Sequence, residues 1–226
     1  MKILELELLS DDIPKTEIFY NRVLGLETLY CDSSTVSFQV GITKLTFHVS
    51  QNEKPVYHFA FDVPNNKLLE AFSWIEDKTE IMYVVPPDKI ADFYNWNAKS
   101  FYFYDNNRNI IEFIARYDLN NATEKPFDGK SIISVSEIGL VSINVNEQCD
   151  ELFETYGLTP YSKQPKLPKF IVLGTVTGLF ILVEENRNWY PTTDKKSKSF
   201  WTKILFSYKG ENKVLEVLEG NKSKLL

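Results

Sequence analysis

Two polar residues in otherwise apolar segments are the first candidates for chemistry. Glu112 stands midway along the segment Ile110–Ile114. This segment is the second strand of a predicted β-hairpin that is rich in Phe, Tyr and Ile. A carboxylate in so apolar a strand needs a partner, because burying it unpaired is costly. His58 stands in a similar segment, Val56–Val63. Imidazole and carboxylate groups both bind divalent metals, so the two residues together predict a metal site.

Both residues also have an ordinary structural interpretation. A lone histidine in an apolar strand is often a core residue with a hydrogen-bond partner, and a buried glutamate can belong to a structural ion pair. The residues alone leave the two interpretations open. The positions of the strands that carry His58 and Glu112 are needed to choose between the two interpretations.

The composition places the chain among ordinary globular proteins. It has 226 residues, 43% of them hydrophobic and 25% charged, enough for one large domain or two small ones. The net charge is -6 with no long basic run, which argues against nucleic-acid binding. The two cysteines cannot make a disulfide framework. No apolar run could span a membrane, and the first residues lack a signal-peptide pattern, so we expect a cytoplasmic protein.

The order of predicted elements repeats along the chain. The alternating strand Ile3–Leu9 is followed by an amphipathic helix over Ile13–Leu24. Further short strands complete a β-α-β-β-β unit, over Glu27–Cys31, Thr35–Val40 and Lys44–Val49. A second unit has the strand Val56–Val63, a helix over Asn65–Ile75 capped by Asn65 or Asn66, and the hairpin Phe101–Ile114.

A third unit begins at Ile138, with a helix over Glu147–Tyr156 and strands near 169–173 and 179–183. Trp201–Tyr208 predicts a further strand and Asn212–Leu218 a short helix, so that a fourth unit is truncated. We therefore expect an α+β protein built from repeated β-α-β-β-β units. Its first domain would span 1–117, a polar linker 118–131, and the third unit with the truncated fourth 132–226.

Three segments resemble the vicinal-oxygen-chelate superfamily, which includes glyoxalases, bleomycin-resistance proteins and extradiol dioxygenases. They are Phe19–Leu26, His58–Val63 and Tyr104–Phe113, in an order and spacing similar to the helix end, the ligand strand and the last hairpin of that family. The resemblance implies that paired units form cupped mixed β-sheets with the helices outside, and that two units form one such sheet over residues 1–117. It also implies a divalent metal in the cup, which binds substrates through two adjacent oxygens.

The ligand positions of the family fall on Glu5, His58 and Glu112. A Glu-His-Glu set suits Fe²⁺, Mn²⁺, Ni²⁺ or Zn²⁺ and leaves open positions for substrate oxygens. Glu5 has an alternative interpretation, because Glu5 and Glu7 could form a solvated strand face. The fourth glyoxalase ligand falls near Thr46, a poor ligand, and extradiol dioxygenases use two histidines and one glutamate.

The third unit predicts no second metal site. Its first strand offers Leu140 where the second unit has His58, and its last strand offers Ile181 where the second unit has Glu112. The third unit is then left without a complete partner, which is compatible with a homodimer and does not require one.

Two classes of function follow. One is a metal-dependent enzyme acting on a small molecule with vicinal oxygens by ring cleavage, isomerisation or lyase chemistry, with His48 or Tyr104 moving a proton. The other is a metal-free protein that sequesters a small molecule in an aromatic cup. In both, we expect the pocket to be lined by aromatic side chains of the Phe101–Tyr104 strand.

Overall fold

The first module of the computed structural model follows the predicted order closely. The model describes residues 1–51, 53–218 and 222–225. Strand β1 is followed by helix α1, which continues as a π-helical segment, Phe19–Val23, up to the left-handed Gly25. The bounds are β1 Lys2–Ser10, α1 Ile13–Ile18, β2 Glu27–Cys31, β3 Thr35–Val40 and β4 Thr43–Val49.

The second module also has the predicted elements, with one shifted helix. Its bounds are β5 His58–Val63, α2 Leu68–Glu76, β6 Ala91–Phe93, β7 Ala98–Tyr104 and β8 Ile110–Arg116. Helix α2 begins at Leu68 after Lys67, so the predicted start and cap at Asn65 or Asn66 are wrong. Those two asparagines instead donate to the backbone carbonyls of Leu119 and Thr123. They fasten the following linker to the module instead of capping the helix.

The third module is present, and the chain after it is entirely extended. The bounds are β9 Ser134–Ser142, α3 Val145–Tyr156, β10 Phe170–Thr175, β11 Gly178–Glu184, β12 Thr202–Tyr208, β13 Glu211–Leu218 and β14 Lys222–Leu225. The predicted helix over Asn212–Leu218 is wrong, because this segment is β13. It pairs with β12 in an antiparallel hairpin, in which Thr202 is opposite Val217 and Tyr208 is opposite Glu211. That strand pairing outweighs the local sequence pattern that predicted a helix.

Two curved mixed sheets hold all the strands. One has the order β14-β13-β12-β1-β4-β3-β2, and the other has the order β10-β11-β9-β5-β8-β7-β6. Helix α1 packs on the first sheet, and α2 and α3 pack on the second. The prediction of an α+β fold with cupped mixed sheets is confirmed.

The pairing of the modules differs from the prediction. The first and second modules lie in different sheets, so the expectation of one cupped sheet over residues 1–117 is wrong. In each of the first two modules, the first strand has one edge that no strand of its own module pairs with. An antiparallel strand from later in the chain pairs with that edge: β12 pairs with β1, and β9 pairs with β5. Element order along the chain does not determine which strand takes an open edge.

This pairing bears on two further expectations. Strands from either side of the linker are hydrogen-bonded in both sheets, while the division into domains at 117 and 132 stays a prediction. The third module shares a sheet with the second module of the same chain. The argument for a homodimer from a third module without a partner therefore no longer applies.

Side-chain alternation divides the second sheet into two chemically different faces. In β8, Ile111, Phe113 and Ala115 join the main apolar core beneath the helices. The intervening residues Glu112 and Arg116 point to the opposite face, although both are buried. The buried polar groups of this strand are thus collected on the face away from the helices.

Candidate metal centre

Three neighbouring strands bring a histidine and two glutamates together. Ala60 in β5 is the Cα partner of Glu112 in β8 and of Glu137 in β9. His58 lies two residues before Ala60 and therefore shares its face. The ligand atoms of His58, Glu112 and Glu137 all lie within 4.8 Å of one another, and all three residues are buried. It is the one group of this kind within the part of the chain that the structure describes.

The backbone fixes the orientation of the imidazole of His58. Its Nδ1 lies 3.1 Å from the carbonyl oxygen of Ile110, to which it can only donate, so the Nδ1–H tautomer is required. Burial lowers the pKa of His58, which favours the neutral ring. Nε2 therefore carries a lone pair, and it lies 3.5 Å from Oε2 of Glu112.

The two carboxyl groups are costly to ionise at this place. Burial raises the pKa of Glu112, and it raises the pKa of Glu137 to about 7 against the opposing charge of Arg116. Tyr102, the cross-strand partner of Glu112, remains a phenol because burial and the Glu112 charge raise its pKa well above its ordinary value. The site thus contains a protonated phenol beside carboxylates that need a cation.

One buried guanidinium partly meets this need. Arg116 donates from Nη1 to Asp62 at 2.8 Å and from Nη2 to Glu137. With Glu112, three carboxylates and one guanidinium carry a net charge of -2 when all are ionised and His58 is neutral. A divalent cation would make the group electrically neutral, which is what burial of charge favours.

The donor set fits a metal ion. Two ligand atoms that each lie about 2.1 Å from one ion, at an angle of about 110°, are about 3.5 Å apart. That is the separation of His58 Nε2 from Glu112 Oε2, and it is long for a hydrogen bond. The Nδ1–H···O=C bond of His58 is also the usual support of a metal-binding histidine.

A cavity of about 270 Å³ opens above this group. His58, Glu112 and Glu137 are among its lining residues, and most of the others are aromatic or apolar. They are Phe93, Trp96, Tyr102, Gln164, Phe170, Ile181, Val183, Arg187, Trp189 and Tyr190. Of the predicted Phe101–Tyr104 strand, Tyr102 lines the cavity, while Phe101 and Phe103 face the helix-side core.

Three predicted site residues lie elsewhere. Glu5 is on β1 in the other sheet, so strand pairing separates it from His58 and Glu112. His48 is also in that sheet, where its Nε2 lies 2.7 Å from Oε2 of Glu7. Tyr104 is in the same sheet as the site but outside the cavity lining, and its ring is covered by Arg108 at 4.0 Å.

Glu137 is the site residue that the sequence interpretation missed. Glu112 is the partner of Ala60, two residues after His58, and Ile181 is the partner of Gly139, two residues after Glu137. Glu137 is therefore the counterpart of His58, and the earlier choice of Leu140 is wrong. The signal was a carboxylate directly before the apolar run of β9, but starting the strand at Ile138 left it out.

Comparison with known proteins gives likenesses of structure alone. No family model matches the sequence, and no curated protein matches it. A Bacillus subtilis protein provisionally described as a dioxygenase aligns over 81% of this chain and 63% of its own, with a TM-score of 0.59 and 17% identity. A variant of glyoxalase I from Zea mays aligns over 98% of this chain and 90% of its own, with a TM-score of 0.59 and 10% identity.

The chain has the vicinal-oxygen-chelate fold. This confirms the fold that the resemblance of the three sequence segments implies. The chain spans less than two thirds of the Bacillus subtilis protein, and the identities are low, so these likenesses establish the fold and leave the activity to be argued from the site.

The candidate site belongs to the paired second and third modules. The position that would add a fourth ligand from β11 is Ile181, which lines the cavity without a donor atom. Three protein ligands leave coordination positions free on the cavity side. No helix in the described part of the chain is long and apolar enough to cross a membrane.

Proposed function

We propose that the protein is a metal-dependent enzyme acting on a small molecule with two adjacent oxygen atoms. Ring cleavage, isomerisation and lyase chemistry all start from such bidentate binding. One observation carries the proposal. His58 Nε2 and Glu112 Oε2, which both carry lone pairs, lie 3.5 Å apart in a buried group of net negative charge. Without a cation or an added proton, that arrangement is repulsive.

His58, Glu112 and Glu137 would hold the ion, and their chemistry suits Fe²⁺, Mn²⁺, Ni²⁺ or Zn²⁺. When bound, a divalent ion would bind both substrate oxygens and polarise them. Tyr102 lines the cavity, and its hydroxyl, which remains protonated, interacts with Glu112 and would hold that carboxylate in place. The aromatic wall would exclude water from the bound substrate.

Arg116 supports the metal site as a positioning residue. Its guanidinium holds the carboxylates of Asp62 and Glu137 from behind, and all three side chains are buried. It fixes the position of Glu137 and removes part of its charge. Glu137 is thereby kept in place whether or not an ion is bound.

A second candidate function is metal-free binding of a small molecule. The observation in its favour is the ion pair of Glu137 with Arg116, because a carboxylate that already has a buried cation has less need of a metal. In this alternative, the aromatic cavity would bind the ligand by itself, and the His58 and Glu112 pair would share a proton.

Metal content separates the two functions. The protein, purified without a polyhistidine tag, would be analysed by inductively coupled plasma mass spectrometry before and after dialysis against a chelator. We expect about one equivalent of a divalent transition metal, its removal by the chelator, and chelator-sensitive binding of catechol measured by calorimetry. A protein that takes up no metal and binds catechol equally well with chelator present would support the binding-protein function instead.

A further inference from the structure

Two residues that line the cavity carry hydrogen-bond donors that no acceptor among the described residues satisfies. Arg187 and Trp189 both line the cavity and lie two residues apart on the segment after β11. Nε1 of Trp189 is buried and has no hydrogen-bond partner among the described residues. The site floor has an excess of carboxylates, whereas this wall has an excess of donors.

The guanidinium of Arg187 lacks a counter-charge in the described structure. No carboxylate there lies within ion-pair distance of it, and its contact is with the ring of Phe170, 4.9 Å from Cζ. Arg116, the other arginine of this cavity region, has two carboxylate partners. Stacking on an aromatic ring holds a guanidinium in place while leaving its N–H groups free to bind an anion.

The indole ring of Trp189 is held firmly in the cavity lining. Its ring packs against His58 with centroids 5.4 Å apart. It also occupies the space above Gly139, where a Cβ would lie 2.4 Å from Cη2 of the indole.

From these contacts we infer that the substrate carries a carboxylate in addition to its two vicinal oxygens. Arg187 binds the carboxylate with its planar fork. The vicinal oxygens face His58, Glu112 and Glu137 on the floor. This inference rests on the proposed function for the vicinal oxygens, whereas the anion site depends on Arg187 alone.

The size of the cavity restricts the rest of the substrate. Its volume of about 270 Å³ lies below the range of about 300–1,000 Å³ that is usual for ligand pockets. The rings of Phe93, Trp96 and Tyr190 also line the cavity. A single aromatic ring with few substituents fits this volume and these walls, and a peptide-sized conjugate does not.

Two pairs of probes test the inference. On the Mn²⁺-loaded protein, protocatechuate and catechol differ only in a ring carboxylate, and calorimetry would give both affinities. We expect protocatechuate to bind at least about tenfold more tightly, since hydrogen bonds to charged groups have such values. Arg187→Gln should abolish this preference, and Arg187→Lys should retain part of it. Arg108→Gln is the matched control, because Arg108 also stacks on an aromatic ring but lies outside the cavity.

The second pair separates this inference from the metal. Benzoate and benzyl alcohol lack vicinal oxygens, and their affinities would be measured on the chelator-treated protein. Preference for benzoate that is lost in Arg187→Gln supports the anion site even if no metal binds. Equal affinities for both members of each pair in the unmodified protein, or a carboxylate preference that survives Arg187→Gln, would overturn the inference.

Discussion

Glu137 on β9 lies directly across from Ala60 on β5, in a pair of strands from different modules. The methyl group of Ala60 leaves the space above it to the carboxylates of Glu137 on one side and Glu112 on the other. Glu137, which is 77 positions after Ala60 in the sequence, thus completes a site to which the second module contributes His58 and Glu112. The candidate metal centre is therefore a property of the module pair.

The two histidines provide a matched test of the metal centre. His58→Ala removes the ligand nitrogen, and we expect it to lower bound metal to a small fraction of an equivalent. His48→Ala should retain full metal content, because His48 lies in the other sheet and contacts Glu7. Metal analysis together with circular dichroism would measure both. Full metal content in folded His58→Ala protein would contradict the site.

Substitutions of Glu137 and Glu5 test which glutamate is the third metal ligand. The structure places Glu137 beside His58 and Glu112, whereas the family resemblance implies Glu5. Glu137→Gln removes a negative ligand and should weaken metal binding by on the order of 100-fold, the upper end for residues that support a metal site. Glu5→Gln should leave the dissociation constant unchanged, because Glu5 belongs to the other sheet. Competition with a fluorescent chelator gives both constants. The reverse ranking would restore Glu5 as a ligand.

Proton competition at Glu137 should make metal affinity depend on pH. Because burial raises the pKa of Glu137 to about 7, a bound proton must leave before the metal binds at lower pH. We expect affinity to rise about tenfold per pH unit up to about pH 7 and then to level off. In Glu137→Gln this portion of the slope should disappear. A flat profile for the unmodified protein would show that Glu137 is already ionised below neutral pH.

The same shift predicts the pH dependence of stability in the metal-free protein. The pKa of Glu137 is about 7 in the folded protein and near its ordinary value of 4.5 when unfolded, so the folded state holds the proton more tightly. Its contribution to stability is full below pH 4.5 and is lost as pH rises to about 7. Urea unfolding of the unmodified protein and Glu137→Gln, compared at each pH, isolates this contribution.

Removal of the buried guanidinium should destabilise the fold. Arg116→Met leaves Asp62 and Glu137 without their shared cation, and we expect the free energy of unfolding to fall by about 3–5 kcal/mol. Added Mn²⁺ should raise the stability of this variant more than that of the unmodified protein, because the ion supplies the missing charge. The exposed Arg22→Met is the control, with an expected change within about 0.5 kcal/mol. Equal stabilities of the two variants would contradict the buried cluster.

The sequence by itself determined the modules and half of the site. Alternation of apolar and polar residues, with the glycine after the first helix, defined most strands and helices, because these patterns depend on near neighbours. It also identified His58 and Glu112, since a polar group in a fully apolar strand requires a partner whatever the fold. Local pattern failed where tertiary contacts were stronger, at the start of α2 and in β13.

Only the tertiary structure decided which module completes the site. The open edge of β5 accepts β9, and the open edge of β1 accepts β12. The pairing of distant strands depends on the sum of many long-range contacts, which no short segment of sequence contains. That pairing moved Glu5 and His48 away from the site and brought in Glu137. It also placed Arg187 and Trp189 in the lining of the same cavity as the three candidate ligands.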